Sequence, residues 1–357
     1  MAYTVINKSS EYFDTKVYTG NGYSQTLDMD NLGLLWMKNR TEGSNHNLFD
    51  SVRGGYYTSA PGPNLRPNGT TAGHGSDITS AYGITFGSSS STIGSDGGGY
   101  NYNQNSKSYV GWQWRAGTTS GLSGGTITPT AYSINASAGF GIYTWTGNST
   151  SGASIAHGLG KVPKMIIVKR LTNAASWQVY HHSMNNTRWI ELDSNQPMQT
   201  GTSRWNDTSP TSTLFYLGND SDVNNSSYTY VAYVFCDVPG FSKMGAYTGN
   251  ANNDASAPFI YTGFKPSFVM LKSYNQASDW IIFDNKRNPH NVTNTHMYAN
   301  NNSPDDTSTN YNEIDFLSNG IKIREDNTTV NGDGYAYLYM CFGQSLVGSN
   351  NVPCTAR

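Results

Sequence analysis

A pattern of three strands in residues 245–287 occurs twice more, earlier in the chain, and this recurrence limits the folds that the sequence can adopt. Each copy has an aromatic strand ending in a Thr-Gly-Asn turn, then a short apolar run with a charged end, then a second aromatic strand. The earlier copies lie in residues 17–53 and 142–180. A missed repeat would change the interpretation of every later segment, so the repeat has to be assigned before the fold.

The spacing of matching landmarks indicates that whole units are repeated. Tyr143 and Tyr247, at the start of two units, are 104 residues apart, and Tyr230 and Tyr335, near their ends, are 105 apart. Tyr18 precedes Tyr143 by 125 residues, so the first unit carries an insertion. The predicted organisation is an N-terminal arm, three repeats and a C-terminal tail, at residues 1–16, 17–136, 137–243, 244–345 and 346–357.

The composition of each unit favours β structure. Tyr, Trp, Thr and Val suit pleated strands, while Gly, Asn and Ser suit turns. No long stretch places apolar residues at helical spacing. A unit of about 100 residues with short strands and long turns has the size of a β-sandwich, whereas a trefoil or propeller would repeat at about half that period. We therefore predict an all-β chain of three tandem β-sandwich repeats of the jelly-roll or lectin-like type, arranged in a row.

The charge and the short apolar runs of the chain argue against nucleic acids and membranes as partners. Only 13% of residues are charged and the net charge is −2, so the basic stripe that a nucleic-acid binder needs is missing. The first residues contain no apolar run of signal-peptide length, and no segment approaches about 18 consecutive apolar residues. We expect neither a nucleic-acid partner nor membrane insertion.

Aromatic residues in irregular stretches of the first unit are the candidates for ligand contact. Tyr56, Tyr57, Tyr100 and Tyr102 lie among Gly, Pro, Ser and Asn residues. Loops on a rigid scaffold often carry recognition, although packing of the loop against itself is an alternative for these rings. We expect residues 87–106 to form an exposed loop that can be shortened without loss of the fold.

Recurring polar and aromatic residues on the predicted strands are expected to be structural. Trp177 and Trp280 occupy matching strands, which favours a place in the core over a sugar-binding role. The segments Asp50–Arg53 and Asp284–Arg287 follow corresponding strands. We expect their Asp and Arg side chains to form surface ion pairs worth at most about 1 kcal/mol each.

The sequence predicts no catalytic site, no metal site and no cofactor. Glu191 with Asp193, and Glu313 with Asp315, each share a strand face, as a glycosidase pair would permit. They lie at no matching landmarks, and serine-elbow, zinc and phosphate-loop motifs are missing from the sequence. Acidic residues in the loops before the terminal strands match no EF-hand spacing, so we expect solvated turn residues there.

Several motifs taken together carry a resemblance to a known family. They are the recurring YTGNG and YVAY, the segments WMKNR, LFDSVRG and IFDNKR, and the ending LVGSNNVPCTAR. Over nearly the whole chain, these motifs resemble a family of bacteriophage virion proteins that is common in marine phages and cyanophages and often described as tail fibres. The resemblance implies a protein assembled in the host cytoplasm and exposed on the surface of the virion.

The resemblance also implies the partners. A tail fibre or appendage would attach the particle to a host-surface glycan and would contact other virion proteins, at a tail adaptor or nozzle or at the capsid. Phage fibres are commonly homotrimers, so a homotrimer is expected. The alternatives are a capsid decoration or head-fibre protein without a receptor role, and, as a third reading, a glycan depolymerase.

Overall fold

The chain folds almost entirely into β-strands. The computed structural model describes residues 4–27, 33–56, 58, 62–73, 78–87, 90–96, 99–307 and 313–347. The strands are β1 (Phe13–Thr19), β2 (Gln25–Leu27), β3 (Gly33–Asn39), β4 (Asn47–Asp50), β5 (Ile84–Phe86), β6 (Ser91–Ile93), β7 (Ser108–Arg115), β8 (Ala131–Asn135), β9 (Phe140–Thr146), β10 (Ala153–Ala156), β11 (Pro163–Arg170), β12 (Gln178–His181), β13 (Arg188–Glu191), β14 (Gln199–Thr200), β15 (Leu214–Leu217), β16 (Thr229–Cys236), β17 (Ser242–Thr248), β18 (Phe259–Tyr261), β19 (Lys265–Ser273), β20 (Ile281–Asp284), β21 (Met297–Tyr298), β22 (Ile314–Leu317), β23 (Gly320–Ile323) and β24 (Ala336–Gln344).

Helical structure among the described residues is limited to single 3-10 turns. These are Ser9–Glu11, His182–Met184 and Asp254–Ser256. Each has three residues, and within the described part of the chain no helix could span a bilayer. The predicted all-β class is confirmed.

Three larger antiparallel sheets have a common order of strands. Sheet one has the order β1-β7-β3-β4, and sheet three has the order β17-β24-β19-β20-β21. Sheet two contains the corresponding series β9-β16-β11-β12, with β8 added at one edge and β13 and β14 at the other. In each series one strand comes last in the chain, namely β7, β16 or β24. Within the sheet this strand lies between the first strand of the series and the next long strand, for example between β1 and β3 in sheet one.

The sequence of β24 explains why that strand lies inside its sheet. Leu338, Met340 and Phe342 alternate with Tyr339 and Cys341, so both faces of the strand are apolar or aromatic. A strand of this kind is stable only where both of its faces are covered. We predicted a central position from this pattern, and the position between β17 and β19 confirms it.

Smaller sheets cover the outer face of each larger sheet. Strands β2, β6 and β5 pack on sheet one, β10 and β15 on sheet two, and β18, β23 and β22 on sheet three. In sheet three, for example, Ile260 and Ile321 of the small sheet pack with Val269 and Leu271 of β19. Each larger sheet therefore forms a two-layer arrangement with its cover, consistent with a β-sandwich.

The inner faces of the three larger sheets meet in one central core. Trp114 of sheet one makes edge-to-face contacts with Phe235 of sheet two, at 6.1 Å between ring centroids, and with Phe342 of sheet three, at 5.8 Å. Phe268 of β19 lies 5.7 Å from the same ring. We expected the units to follow one another in a row. That arrangement is wrong, since the apolar inner face of each sheet is covered by the other two.

The register within the sheets corrects the alignment made from the sequence. Trp145 faces Tyr230 in sheet two as Tyr247 faces Tyr337 in sheet three, and both pairs of rings stack. The sequence comparison had matched Tyr143 with Tyr247, two residues away from this position. A shift of two residues keeps every side chain on its own face of a strand, so the alternation of aromatic residues does not reveal it.

The pairs Asp50–Arg53 and Asp284–Arg287 are buried, and the expectation of surface ion pairs is wrong. In both pairs the Arg Nε lies 2.6 Å from the carboxylate, and both carboxylates are fully buried. Asp50 and Asp284 also accept the backbone N–H groups of Arg53 and Arg287. The carboxylates therefore fix the turns, as expected, but from inside the protein.

These two carboxylates also join neighbouring sheets. The hydroxyl of Tyr233 in sheet two donates to Asp50 Oδ2 in sheet one at 2.7 Å. The indole N–H of Trp112 in sheet one donates to Asp284 Oδ2 in sheet three at 3.0 Å. Buried polar groups need such partners, so these contacts restrict how the sheets can be arranged.

The contact between sheets two and three uses His181, which occupies the position that Asp50 and Asp284 have in the other two sheets. His181 Nδ1 accepts the N–H of Ser183, and the other ring nitrogen therefore donates to the carbonyl of Tyr339 in sheet three, at 3.3 Å. Burial lowers the pKa of His181 to about 3. Sheets one, two and three are thus linked in a closed cycle by buried hydrogen bonds.

We predict that Trp114→Ala destabilises the whole protein. The loss of this side chain would leave a cavity where all three sheets meet, and such truncations cost about 3–5 kcal/mol. Urea denaturation followed by fluorescence and by circular dichroism would measure the change. Tyr23→Ala, at an exposed tyrosine, is the control and should stay within about 0.5 kcal/mol. A loss below about 1 kcal/mol for Trp114→Ala would contradict the shared core.

Candidate functional site

An open cleft beside Tyr56 lies between the first third of the chain and sheet two. Its volume is about 360 Å³. Tyr56 is 40% exposed and is the one predicted binding residue that the structure places at this cleft. Much of the remaining lining consists of threonine side chains, which are Thr58, Thr130, Thr144, Thr146 and Thr229.

The threonines are positioned by the pairing of β9 with β16. Thr144 and Thr146 lie two residues apart on β9 and therefore point to the same face. Thr229 of β16 is the register partner of Thr146. The Oγ1 atoms of Thr229 and Thr172 lie 3.0 Å apart, and Thr144 Oγ1 donates to the carbonyl of Ala131 at 3.2 Å. One side of the cleft is thus a row of hydroxyl groups on a rigid sheet.

Tyr56 is positioned by the turn that follows β4. Asp50 fixes this turn from within, and Gly54 has a φ of +86°, a conformation that favours glycine. At Gly55 the backbone lies so close to the carbonyl of Ile84 that a Cβ atom would be only 1.9 Å from its oxygen. The buried carboxylate and the two glycines together bring the tyrosine to the mouth of the cleft.

Tyr100 and Tyr102 lie in the interior. They are 7% and 0% exposed, their rings stack at 5.9 Å, and Tyr102 also contacts Phe49 at 5.7 Å. Both rings therefore pack inside the protein, which is the alternative to ligand contact given above for these tyrosines. Tyr57 lies outside the described residues.

The stretch that holds these tyrosines is part of the folded body. Residues 87–106 contain strand β6 and the buried Asn103, whose amide donates to the carbonyls of Tyr23 and Gly94. The expectation of an exposed loop is therefore wrong, because the described residues of this segment pack on the outer face of sheet one. That the segment can be shortened stays a prediction.

Two exposed aromatic side chains were missed by the sequence reasoning. Phe259 and Tyr261 of β18 are 47% and 55% exposed, whereas Ile260 between them is buried. The Lys243 amine lies 5.4 Å from the centroid of the Tyr261 ring and donates to the Tyr261 carbonyl. The alternation of Phe, Ile and Tyr was the available signal, but it does not tell which face of the strand is covered.

The carboxylates considered for catalysis have structural partners. Asp193 accepts the backbone N–H of Trp177 at 2.8 Å. Glu313 is buried beside His296, with 2.9 Å between Oε1 and Nδ1. Burial, and to a lesser extent the neighbouring Asp193, raises the pKa of Glu191.

The acidic residues before β16 are ion-paired. Asp222 lies 3.3 Å from both Arg170 and Arg204, and Asp220 pairs with Arg204 as well. Asp220 and Asp222 lie in the loop before β16 and keep 25% and 21% of their side-chain surface exposed, so these turn residues also pair with arginines. In the part of the chain that the structure describes, no three His, Cys, Asp or Glu side chains gather in a group that could hold a metal ion.

Trp177 and Trp280 are buried, as predicted for core residues. Each also donates its indole N–H across a joint between sheets. Trp177 bonds to the carbonyl of Arg66 at 3.0 Å, and Trp280 bonds to the carbonyl of Glu191 at 2.8 Å. At the corresponding position of sheet one, His46 Nε2 lies 2.9 Å from the carbonyl oxygen of Tyr298 in β21.

Three lysines occupy one register position in the larger sheets. Lys38, Lys169 and Lys272 face Val110, Val231 and Leu338 of the neighbouring central strands. All three are fully buried, and burial lowers the pKa of each to about 8.

The amines of these lysines donate to backbone carbonyls. Lys169 donates to Thr70 at 2.7 Å, and Lys272 donates to Ser278 at 2.6 Å and to Asn195 at 3.2 Å. A buried amine with a lowered pKa can serve as a nucleophile, but these three have no solvent access. Lys169 and Lys272 each fasten a loop of the preceding third of the chain, so their role is structural.

The buried lysines predict a dependence of stability on pH. Their pKa is about 8 in the folded chain and about 10.4 in the unfolded chain. Below pH 8 the amines are charged in both states, and the cost of burying the charge is fully present. Between these values the unfolded chain binds more protons, so each lysine makes the free energy of unfolding rise with pH.

We predict that Lys169→Met reduces the gain in stability between pH 7 and pH 9 by about 1 kcal/mol. Urea denaturation of the wild type and the variant at several pH values would measure this difference. Lys8→Met, at an exposed lysine, is the matched control. Parallel profiles for the wild type and Lys169→Met would contradict the prediction.

Comparison with known proteins gives a family but no activity. Neither a curated protein nor a solved structure matches the chain. A family model described as "Domain of unknown function (DUF7483)" matches residues 8–345. Because this match extends over almost the whole chain, the protein belongs to the DUF7483 family.

Proposed function

We propose that this protein is a non-enzymatic component of a bacteriophage virion that binds a host-surface glycan, as a tail fibre or appendage. The observation that carries the glycan-binding part of the proposal is the cleft between Tyr56 and the row of threonine hydroxyls. The virion part rests on the motif resemblance described above.

The chemistry of the cleft suits a neutral sugar. Tyrosine offers an apolar ring against which the C–H face of a sugar can pack. The hydroxyls of Thr130 and Thr146 can donate and accept hydrogen bonds, as sugar hydroxyls do, and the Thr144 hydroxyl can accept one. The charge of Arg53, which also lines the cleft, is balanced by Asp50 at 2.6 Å. A volume of about 360 Å³ lies at the lower end of the range for small-ligand sites, which favours one or two sugar rings.

The proposal includes three tandem β-sandwich repeats, closed around the shared core, at residues 17–136, 137–243 and 244–345. The common strand order of sheets one, two and three supports this division. A hydrogen bond at the corner after the first strand of each series supports it as well, because a backbone N–H there donates to a buried Asn side chain. The three pairs are Asn21 with Asn103, Asn148 with Asn224, and Asn250 with Asn331.

The proposed assembly is a homotrimer that contacts other virion proteins through the ends of the chain. The described ends lie together, since Gln344 Oε1 accepts the N–H of Ser9 at 2.6 Å. Three copies of the cleft would raise the avidity for a repetitive glycan. Light scattering at micromolar concentration should give three times the mass of the chain, and a stable monomer would contradict the trimer.

We predict that Tyr56→Ala weakens glycan binding about fivefold, because an aromatic contact of this kind contributes on the order of 1 kcal/mol. The measurement is binding of the purified protein to host cells and to arrayed host glycans, together with competition against phage adsorption. Tyr23→Ala is the matched control, an exposed tyrosine outside the cleft.

The outcome separates the candidate functions. Wild-type protein that neither binds host cells nor slows adsorption would overturn the proposal. In that case, electron microscopy of labelled virions with label on the capsid would favour a decoration or head-fibre protein. Release of oligosaccharides from the host glycan would favour a depolymerase.

A further inference from the structure

A second, larger pocket lies where the N-terminal segment packs against the edge of sheet three. Its volume is about 750 Å³. Residues 7–10 and 13–15 form one wall, and residues 265–267, 285–286 and 288–291 form the other. None of its lining residues belongs to the Tyr56 cleft.

The walls of this pocket are held by the core and by hydrogen bonds. Phe13 stacks on Phe342 at 5.0 Å and contacts Phe268 at 5.3 Å, which fastens β1 to sheet three. Gln344, which also lines the pocket, accepts the N–H of Ser9 and donates to the carbonyl of Asn7. The pocket is therefore built from both ends of the described chain.

The lining carries an excess of positive charge. Lys265 and Lys286 line the wall from sheet three, and Lys8 lines the opposite wall. Lys8 is paired with Glu11 at 3.4 Å. The ion pairs found among the described residues do not include Lys265 or Lys286.

Asp14 is the one carboxylate among the described lining residues. It lies 3.5 Å from Lys16, and burial raises its pKa. Its charge is thus matched mainly by Lys16, which lies outside the lining, and more weakly by Lys286. The amine of Lys265 and much of the charge of Lys286 remain available to an anion.

Two buried polar atoms of the lining have no hydrogen-bond partner among the described residues. Thr15, which is 3% exposed, leaves its hydroxyl without a partner, and Asn285 leaves its side-chain carbonyl oxygen without one. Unpaired buried groups of this kind are costly, so they mark places where a polar ligand would be stabilising.

We propose that this pocket binds an anionic saccharide, a sugar unit that carries a carboxylate or a sulfate ester. The ammonium groups of Lys265 and Lys286 face the anion, and the Thr15 hydroxyl and the Asn285 amide pair with sugar hydroxyls. Pro266 and Phe316 provide apolar surface for the C–H face of the ring. This site is independent of the neutral-glycan cleft, and either one can fail without the other.

Calorimetric titration of the full chain tests the proposal with defined probes. A hyaluronan tetrasaccharide supplies carboxylates alone, a heparin tetrasaccharide supplies sulfates as well, and cellotetraose is the neutral comparison. We expect at least one charged tetrasaccharide to bind with an affinity that falls as salt is raised, and cellotetraose to leave this pocket empty. Preference for hyaluronan or for heparin then identifies the anionic group.

Variants locate the binding. Lys265→Gln with Lys286→Gln should weaken the charged tetrasaccharide at least about tenfold, since two charge-assisted hydrogen bonds are lost. Thr15→Val should weaken binding about fivefold without lowering the melting temperature, because the hydroxyl has no partner in the free protein and its removal relieves an unpaired buried group. Lys161→Gln, at a lysine just before β11, and Tyr56→Ala should bind like the wild type.

Two results would overturn the proposal. One is equal affinity of the double lysine variant and the wild type for the charged probes. The other is binding of inorganic sulfate as tight as that of the tetrasaccharides, which would make the pocket a site for an adventitious ion only. Tyr56 does not line this pocket, so Tyr56→Ala should bind the charged tetrasaccharides as the wild type does. This result would separate binding at the pocket from binding at the cleft.

Discussion

The structure depends on the burial of three aromatic sheet faces against one another. Each larger sheet has apolar side chains on both faces, and its small cover sheet hides only the outer one. The inner faces are covered at the centre, where Trp114 contacts Phe235 and Phe342. A single unit would leave its inner face exposed to water, so the burial that stabilises one sheet requires the presence of the other two.

Buried polar groups then decide how the sheets meet. Asp50, Asp284 and His181 each bond to a neighbouring sheet, and Lys169 and Lys272 each reach a loop from the preceding third of the chain. Such groups are tolerated in the interior only with their partners in place, which restricts the angles and register of the joints. The two candidate binding pockets lie beside these joints, where sheets meet without filling all the space between them.

The parts of the fold that depend on local pattern were predictable. Alternating apolar residues on both faces of β24 indicated a central strand, and the matching positions of Trp177 and Trp280 indicated core residues. The same reasoning placed Asp50 and Arg53 on the surface, because charged residues in a turn are usually exposed. It also selected Tyr100 and Tyr102 for binding along with Tyr56, since all three lie among turn-forming residues.

The sequence by itself determined the β class and the central position of β24, because these follow from the periodicity and composition of short segments. Only the tertiary structure decided which face of each strand is covered, that the three sheets share one core, and which aromatic side chains reach the surface. Those features depend on contacts between residues far apart in the chain. Phe259 and Tyr102 both belong to segments that cover a larger sheet, yet the first is exposed and the second is buried. Tyr102 packs inward on Phe49 of sheet one, whereas Phe259 alternates with the buried Ile260 and lies on the outer face of β18.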